Sequence, residues 1–196
     1  MLSAVVLPGV RNRVTSPVKS GMPTAGQALL PDSALIGHCV NFLLIRAPIE
    51  AGQPMAAHLG RVGKAVIAAF DHQDYTYGTL VRELKIDHSL NRLPLTEVQF
   101  NLEKMADVQR MGDLTARIAS NPKAAVNFDL FFNVVERKDG LRVDVDYNRD
   151  LYDADTIRRW IGYLETTLRE FAKGLDRPAG TFPILRDQLD HQFVYN

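Results

Sequence analysis

The stretch Ile36-Gly-His-Cys-Val-Asn-Phe-Leu-Leu-Ile-Arg46 constrains the fold more than any other part of the sequence. From Leu35 to Ile45 the chain is almost continuously apolar, which is typical of a β-strand covered on both faces. Pro48 ends the predicted strand, because proline has no backbone N–H to donate. Asn41 and Arg46 interrupt the apolar pattern and therefore need polar partners.

Two helices are predicted after this strand, since apolar side chains recur at steps of three and four residues. The first predicted stripe consists of Met55, Leu59, Val62, Val66 and Phe70. The second, shorter stripe consists of Tyr77, Leu80, Val81 and Leu84.

Further strands are predicted in the second half of the chain. Residues 96–102 alternate between apolar and polar side chains, as a half-buried strand does. Residues 127–136 are apolar on both faces and predict a central strand, and Asp139-Gly140 supplies a turn into the alternating segment 141–147. Residues 104–126 lack a clean period and are interpreted as a long crossover or excursion.

A last helix is predicted between Asp153, which caps it, and Gly174, which ends it. Its apolar stripe consists of Ile157, Trp160, Ile161, Leu164, Leu168 and Phe171. The elements together predict an α+β fold, a mixed sheet with helices packed on it.

Composition narrows the class of protein. A chain of 196 residues fits one domain, and 46% hydrophobic with 23% charged residues indicates a globular protein. The 23 basic residues balance the 23 acidic ones, so we expect neither nucleic acid nor an anionic membrane as partner. No apolar run approaches the roughly 20 residues of a membrane span. The single cysteine, Cys39, predicts no internal disulfide and a cytoplasmic location.

The residues that could take part in catalysis do not form a complete catalytic site. His72 and Asp74 are two positions apart and would not face each other on a helix. Cys39 next to His38 predicts a small buried side chain rather than a nucleophile, because adjacent strand residues point to opposite faces. No two histidines are spaced i, i+4 and there is no Cys-x-x-Cys pair, so we expect no metal site.

Three segments together resemble the condensation domains of nonribosomal peptide synthetases. One core motif of that family runs roughly Ile/Val-Gly-x-Phe-Val-Asn-Thr and then Arg. The matching residues here are Ile36, Gly37, Val40, Asn41 and Arg46. Cys39 and Phe42 depart from the commonest Phe and Thr.

The other two motifs come in the family's order. His72-Gln-Asp-Tyr75 matches the start of the His/Asn-Gln-Asp-Tyr-Pro-Phe-Glu motif. Asp87, Ser89 and Pro94-Leu95 correspond loosely to Arg-Asp-x-Ser-Arg-Asn-Pro-Leu, and Val98-Gln-Phe-Asn-Leu102 agrees well with the family's next residues.

The resemblance implies the carboxy-terminal lobe of a chloramphenicol acetyltransferase-like fold over residues 18–180. Residues 1–17 are then a lead-in without resemblance, and residues 181–196 begin a linker toward a following domain. The family forms amide bonds between thioesters held on phosphopantetheine arms of carrier proteins. The implied partners are therefore an amino-terminal lobe, peptidyl carrier proteins and an adenylation domain, with no cofactor bound directly. Candidates for the tunnel or lobe interface are Gly37, Asn41, Arg46, His72, Gln73, Asp74 and Asn101.

The family's catalytic motif, His-His-x-x-x-Asp-Gly, does not occur in these 196 residues, where no two histidines are adjacent. The leading hypothesis is a partial condensation domain that is inactive alone and has no catalytic residue of its own. This hypothesis is compatible with three origins: a split enzyme whose other lobe is a separate chain, a misassigned start of the gene, or a decayed gene copy. The alternative is a non-catalytic module that docks a carrier protein or a separate amino-terminal lobe. An exposed apolar face would favour the partial domain.

Overall fold

A computed structural model describes residues 18–26, 37–86, 93–104, 108–117 and 123–182. Among these residues the strands are β1 (Val18–Ala25), β2 (Val40–Ala47), β3 (Val98–Lys104), β4 (Val108–Met111), β5 (Leu114–Arg117), β6 (Leu130–Arg137) and β7 (Gly140–Tyr147). The helices are α1 (Met55–Phe70), α2 (Tyr77–Glu83) and α3 (Ala154–Lys173), followed by a 3-10 turn at Ala179–Thr181.

The main sheet has five strands in the order β2-β1-β3-β6-β7. The pairs β1–β3 and β3–β6 are parallel, and the pairs β1–β2 and β6–β7 at the two edges are antiparallel. β4 and β5 form a separate two-stranded hairpin. The predicted α+β fold with a mixed sheet is therefore confirmed.

The β6–β7 hairpin is the clearest agreement between sequence and structure. β6 lies inside the sheet between β3 and β7, as its continuous apolar pattern predicts. Arg137 pairs with Gly140 across a two-residue turn, and Gly140 has a φ of 145°, a value that side chains other than glycine rarely adopt.

The largest core cluster lies between β6 and α3. Leu130 and Phe132 of β6 are 0% and 1% exposed and pack with Ile157 and Trp160 of α3. The predicted cap is present, since the Thr156 backbone N–H donates to Asp153 Oδ1 at 2.7 Å. The helix ends at Gly174 with a φ of 147°.

A second cluster joins the start of α1 to the end of the described chain. Met55 and Phe182 are each 4% exposed and pack together, and the Phe182 ring meets Phe171 of α3 edge-on with centroids 5.4 Å apart. Phe182, inside the segment 181–196, is therefore part of this packed cluster.

β2 is an edge strand that packs against α1. Leu43, Ile45 and Ala47 are buried on one face. The expectation of two covered faces is wrong, because on the other face Val40 is 50% exposed and Arg46 is exposed. An edge strand has a neighbour on one side only, so its second face depends on loops.

β3 also departs from its predicted pattern. Gln99, on the supposedly solvent-facing side, is 5% exposed, whereas Leu102 is 60% exposed. Gln99 is buried because β3 runs inside the sheet and pairs with Gly21 of β1 on one side and Phe131 of β6 on the other.

Phe132→Ala is expected to destabilise the fold by about 3–5 kcal/mol, since it removes a fully buried ring from the β6–α3 core. The neighbouring Phe131→Ala removes the same ring from a half-buried position on the opposite face and should cost clearly less. Urea unfolding of both variants measures the difference. Equal losses would show that the main core does not lie between β6 and α3.

His58 is 0% exposed in α1, and burial lowers its pKa from 6.5, as does the positive charge of Arg61. A hydrogen bond with the backbone of Pro48 acts in the opposite direction. Below pH 6.5 the unfolded chain therefore binds a proton that the folded chain does not, and the free energy of unfolding should fall.

His58→Gln should flatten this dependence between pH 7.5 and 5.5 when unfolding is followed at a series of pH values. The exposed His72→Gln is the matched control and should retain the wild-type slope. An unchanged slope in His58→Gln would contradict the assignment.

Candidate functional site

An open cleft of about 480 Å³, called the β2–α2 cleft from this point on, lies between the start of β2 and the loop from α1 to α2. Residues 38–42 together with Gly26 form one wall. Residues 73, 74 and 76–78 form the other. The cleft is therefore built from the two segments whose sequences carry the family resemblance most clearly.

The side-chain amide of Asn41 holds the two walls together. Its Nδ2 donates to the backbone oxygens of Gln73 at 2.6 Å and Tyr75 at 3.2 Å. Its Oδ1 accepts from the backbone N–H of Tyr77 at 3.2 Å. Tyr77 is the first residue of α2, where backbone N–H groups have no acceptor within the helix. Asn41 thus provides a hydrogen-bond acceptor for the backbone N–H at the start of α2, and it fixes the preceding loop to β2.

The end of β1 is attached both to this loop and to the residue that precedes β2. Thr24 Oγ1 donates to Gln73 Oε1 at 3.2 Å, and the Gly26 N–H donates to the Cys39 oxygen at 2.7 Å. A Cβ at Gly26 would lie 2.5 Å from that oxygen, so the close approach requires glycine. Thr76 caps α2 by accepting from the Thr79 N–H at 3.2 Å.

Aromatic rings line the inner side of the cleft. The Phe42 ring lies over Gly21, where a Cβ would be 1.9 Å from the ring carbon Cζ. Phe42 meets Tyr77 edge-on with centroids 5.5 Å apart and stacks on Phe128 at 5.9 Å. The Tyr77 hydroxyl donates to the Pro94 oxygen, and burial raises the pKa of Tyr77, which keeps the hydroxyl protonated.

Only some of the predicted site residues come together. Asn41, Gln73 and Asp74 line the cleft, whereas the exposed His72 lies outside its walls. Gly37 is exposed, and so is Arg46 near the far end of β2.

Asn101 belongs to a separate network on β3 and β6. Its Nδ2 donates to Asn133 Oδ1 at 2.9 Å, and Asn133 Nδ2 donates to Glu103 Oε1 at 2.9 Å. A substrate or lobe contact for any of the seven candidates stays a prediction.

Several lining residues were not predicted as site residues, among them His38, Cys39, Phe42 and Tyr77. The opposite-face argument for His38 and Cys39 does not apply, because β2 begins only at Val40. The sequence did carry a signal for Phe42, which replaces the threonine most common at this position of the family motif.

Among the described residues that line the cleft, Asp74 is the one Asp, Glu, Lys or Arg, so these residues offer a phosphate group no positively charged lysine or arginine. Across the described ranges, no group of three or more His, Cys, Asp or Glu could hold a metal ion. In the same residues, no helix combines the length and the apolar character that crossing a bilayer requires.

Comparison with known proteins gives one consistent result. The sequence model of the condensation domain matches residues 14–194. Malpibaldin synthetase of Mortierella alpina is 31% identical over 166 residues, which is 84% of this chain and 3% of the relative. Surfactin synthase subunit 2 of Bacillus subtilis (strain 168) is 33% identical over 141 residues, 71% of this chain and 4% of the relative.

Solved structures agree on the fold. The X-domain from teicoplanin biosynthesis superposes with a TM-score of 0.78 at 22% identity, over 92% of this chain and 42% of that structure. A four-domain nonribosomal peptide synthetase bound to AMP and glycine superposes with a TM-score of 0.80 at 18% identity, over 93% of this chain and 15% of that one. The chain thus spans less than half of the X-domain and a small part of the synthetases.

Asn41→Ala removes all three hydrogen bonds between β2 and the loop before α2, and we expect a loss of roughly 1–3 kcal/mol of stability. The loss should be local, with faster hydrogen exchange at the Tyr77 amide and little change in β6. Asn41→Asp is the matched variant, because it keeps the acceptor for Tyr77 and loses both donors. Unchanged exchange at Tyr77 in Asn41→Ala would contradict the anchoring role.

Proposed function

Because the chain belongs to the condensation-domain family, we propose that residues 18–180 act as the carboxy-terminal lobe of a nonribosomal peptide synthetase condensation domain. Residues 1–17 would precede this lobe, and residues 181–196 would lead toward a following domain. The superposition on 42% of the X-domain structure is the observation that supports a single lobe most directly.

The proposed reaction is amide formation between two thioesters on the phosphopantetheine arms of carrier proteins. The acceptor amine attacks the donor thioester carbonyl, a C–N bond forms, and the donor arm leaves as a thiol. The amine proton needs a base, and these 196 residues hold no His-His-x-x-x-Asp-Gly motif. We therefore assign the base to an amino-terminal lobe, on the same longer chain or on another.

In this proposal the lobe contributes position rather than proton transfer. Holding two tethered reactants in one site converts a bimolecular reaction into an effectively unimolecular one. Asn41 would keep the β2–α2 cleft in a fixed shape for this purpose. Carrier proteins and an adenylation domain are further proposed partners. We also propose a cytoplasmic location, because Cys39 is a free thiol in a chain with no second cysteine.

The β4–β5 hairpin supports contact with a second lobe. Met111 and Leu114 pair across its tip and are 59% and 69% exposed. A two-stranded hairpin is only marginally stable in water, so an exposed apolar tip favours a partner surface. We propose the amino-terminal lobe as that partner, since the X-domain continues well beyond the part that this chain covers.

The function is tested by sequencing upstream of Met1 and assaying the chain with and without an amino-terminal lobe that carries the histidine motif. Loaded donor and acceptor carrier proteins are added, and mass spectrometry detects the amide. We expect product only with both lobes present. Amide formation by this chain alone, or no product from a stable two-lobe complex, would overturn the proposal. Lobe binding without product would favour the non-catalytic docking module.

Replacing both Met111 and Leu114 by serine should weaken association with the amino-terminal lobe about tenfold or more, since it removes the exposed apolar pair. It should also reduce self-association of the isolated chain in light scattering. Leu141→Ser is the matched control, because Leu141 is 59% exposed and lies outside the hairpin. Equal affinity of the double variant and wild type would show that this tip is not the contact.

A further inference from the structure

The charge on the walls of the β2–α2 cleft restricts what it can bind. Among the described residues that line the cleft, Asp74 contributes a carboxylate and none is a lysine or an arginine. Anionic groups such as phosphates and free carboxylates are therefore disfavoured there, while a protonated amine is attracted. Within the proposed reaction, the group that carries a free amine is the acceptor aminoacyl thioester.

The aromatic side of the cleft restricts the side chain of that acceptor. Phe42 is held in one orientation by Gly21 beneath it, by the edge of Tyr77 and by the face of Phe128. The half-buried ring lines the cleft, so its exposed part offers an apolar contact at little entropic cost to binding. Large apolar groups gain most from such a contact, and aromatic rings gain an additional edge-to-face interaction.

Phe42 is also where this chain differs from the commonest family motif, which has threonine. A threonine would lack the ring that lies over Gly21 and contacts Tyr77. The aromatic wall is therefore a property of this chain's own sequence, and its selectivity is testable by restoring the threonine.

We propose that the β2–α2 cleft binds the acceptor aminoacyl group, with its α-ammonium toward Asp74 and a large apolar, preferentially aromatic, side chain against Phe42. The inference rests on the proposed function. Asp74 attracts the protonated amine, which loses its proton to a base of the other lobe before it attacks.

The test uses pantetheine amides of phenylalanine, glycine and N-acetylphenylalanine, titrated into the full chain by calorimetry or NMR. The amide replaces the thioester and prevents hydrolysis. The phenylalanine probe should bind about tenfold more tightly than the glycine probe, because the ring adds apolar and stacking contacts. It should also bind more tightly than the N-acetyl probe, which carries no positive charge.

Two variants separate the contributions. Phe42→Thr should abolish the preference for phenylalanine over glycine and keep the preference for a free amine. Asp74→Asn should abolish the preference for a free amine and keep the preference for phenylalanine over glycine. Asp71→Asn, an exposed carboxylate outside the cleft walls on the same loop, is the control and should change neither. If Phe42→Thr fails to fold, Phe42→Leu preserves most of the apolar volume and is tested with an added leucine amide. The wild-type chain should bind the phenylalanine probe more tightly than the leucine probe, and Phe42→Leu should lose this difference.

The inference is overturned if no probe binds the folded wild-type chain, or if Phe42→Thr keeps the preference for phenylalanine. In the two-lobe assay, amide formation with unchanged acceptor selectivity in Phe42→Thr overturns the inference and leaves the proposed function intact. Probe binding with the expected preferences, without amide from any two-lobe complex, instead overturns the proposed function and supports the cleft as an amine site.

Discussion

The amide group of Asn41 is the interaction on which the rest of the site depends. Its three hydrogen bonds join the start of β2 to backbone atoms that lie 32 to 36 residues further along the chain. An amide provides donors and an acceptor on one rigid group, so a single side chain fixes both the loop and the first turn of α2. Without this anchor, the loop before α2 would be held to the strands by the Thr24–Gln73 hydrogen bond and the Phe42–Tyr77 ring contact.

The two faces of the main sheet make different kinds of contact. Alternate residues of β6, Leu130 and Phe132, pack beneath α3 and form the core. Their neighbours Phe131 and Asn133 point to the opposite face, where the described residues contribute a hydrogen-bond network and contacts between aromatic rings. The larger core cluster thus lies on the α3 face, while the opposite face also contains a fully buried residue, Val135, which is 1% exposed.

Local sequence signals predicted the elements whose patterns are self-contained. The β6–β7 hairpin and α3 follow from alternation, from Gly140 and from the Asp153 cap, each acting within a few residues. The β4–β5 hairpin was missed, because its strands have only four residues each and show no clear period. The burial of Gln99 was missed because it depends on strands distant in sequence.

The sequence by itself determined the family, the mixed α+β sheet and the importance of Asn41 as a polar residue that needs partners. Motif spacing and side-chain periodicity are local properties, so they can be recognised in the sequence without a structure. Only the tertiary structure decided which partners Asn41 has and that Phe42, Tyr77 and Asp74 share one cleft. It also decided that Arg46 and Asn101 lie elsewhere. Those outcomes depend on how the chain turns around the edge of β2, which long-range packing sets and local sequence does not.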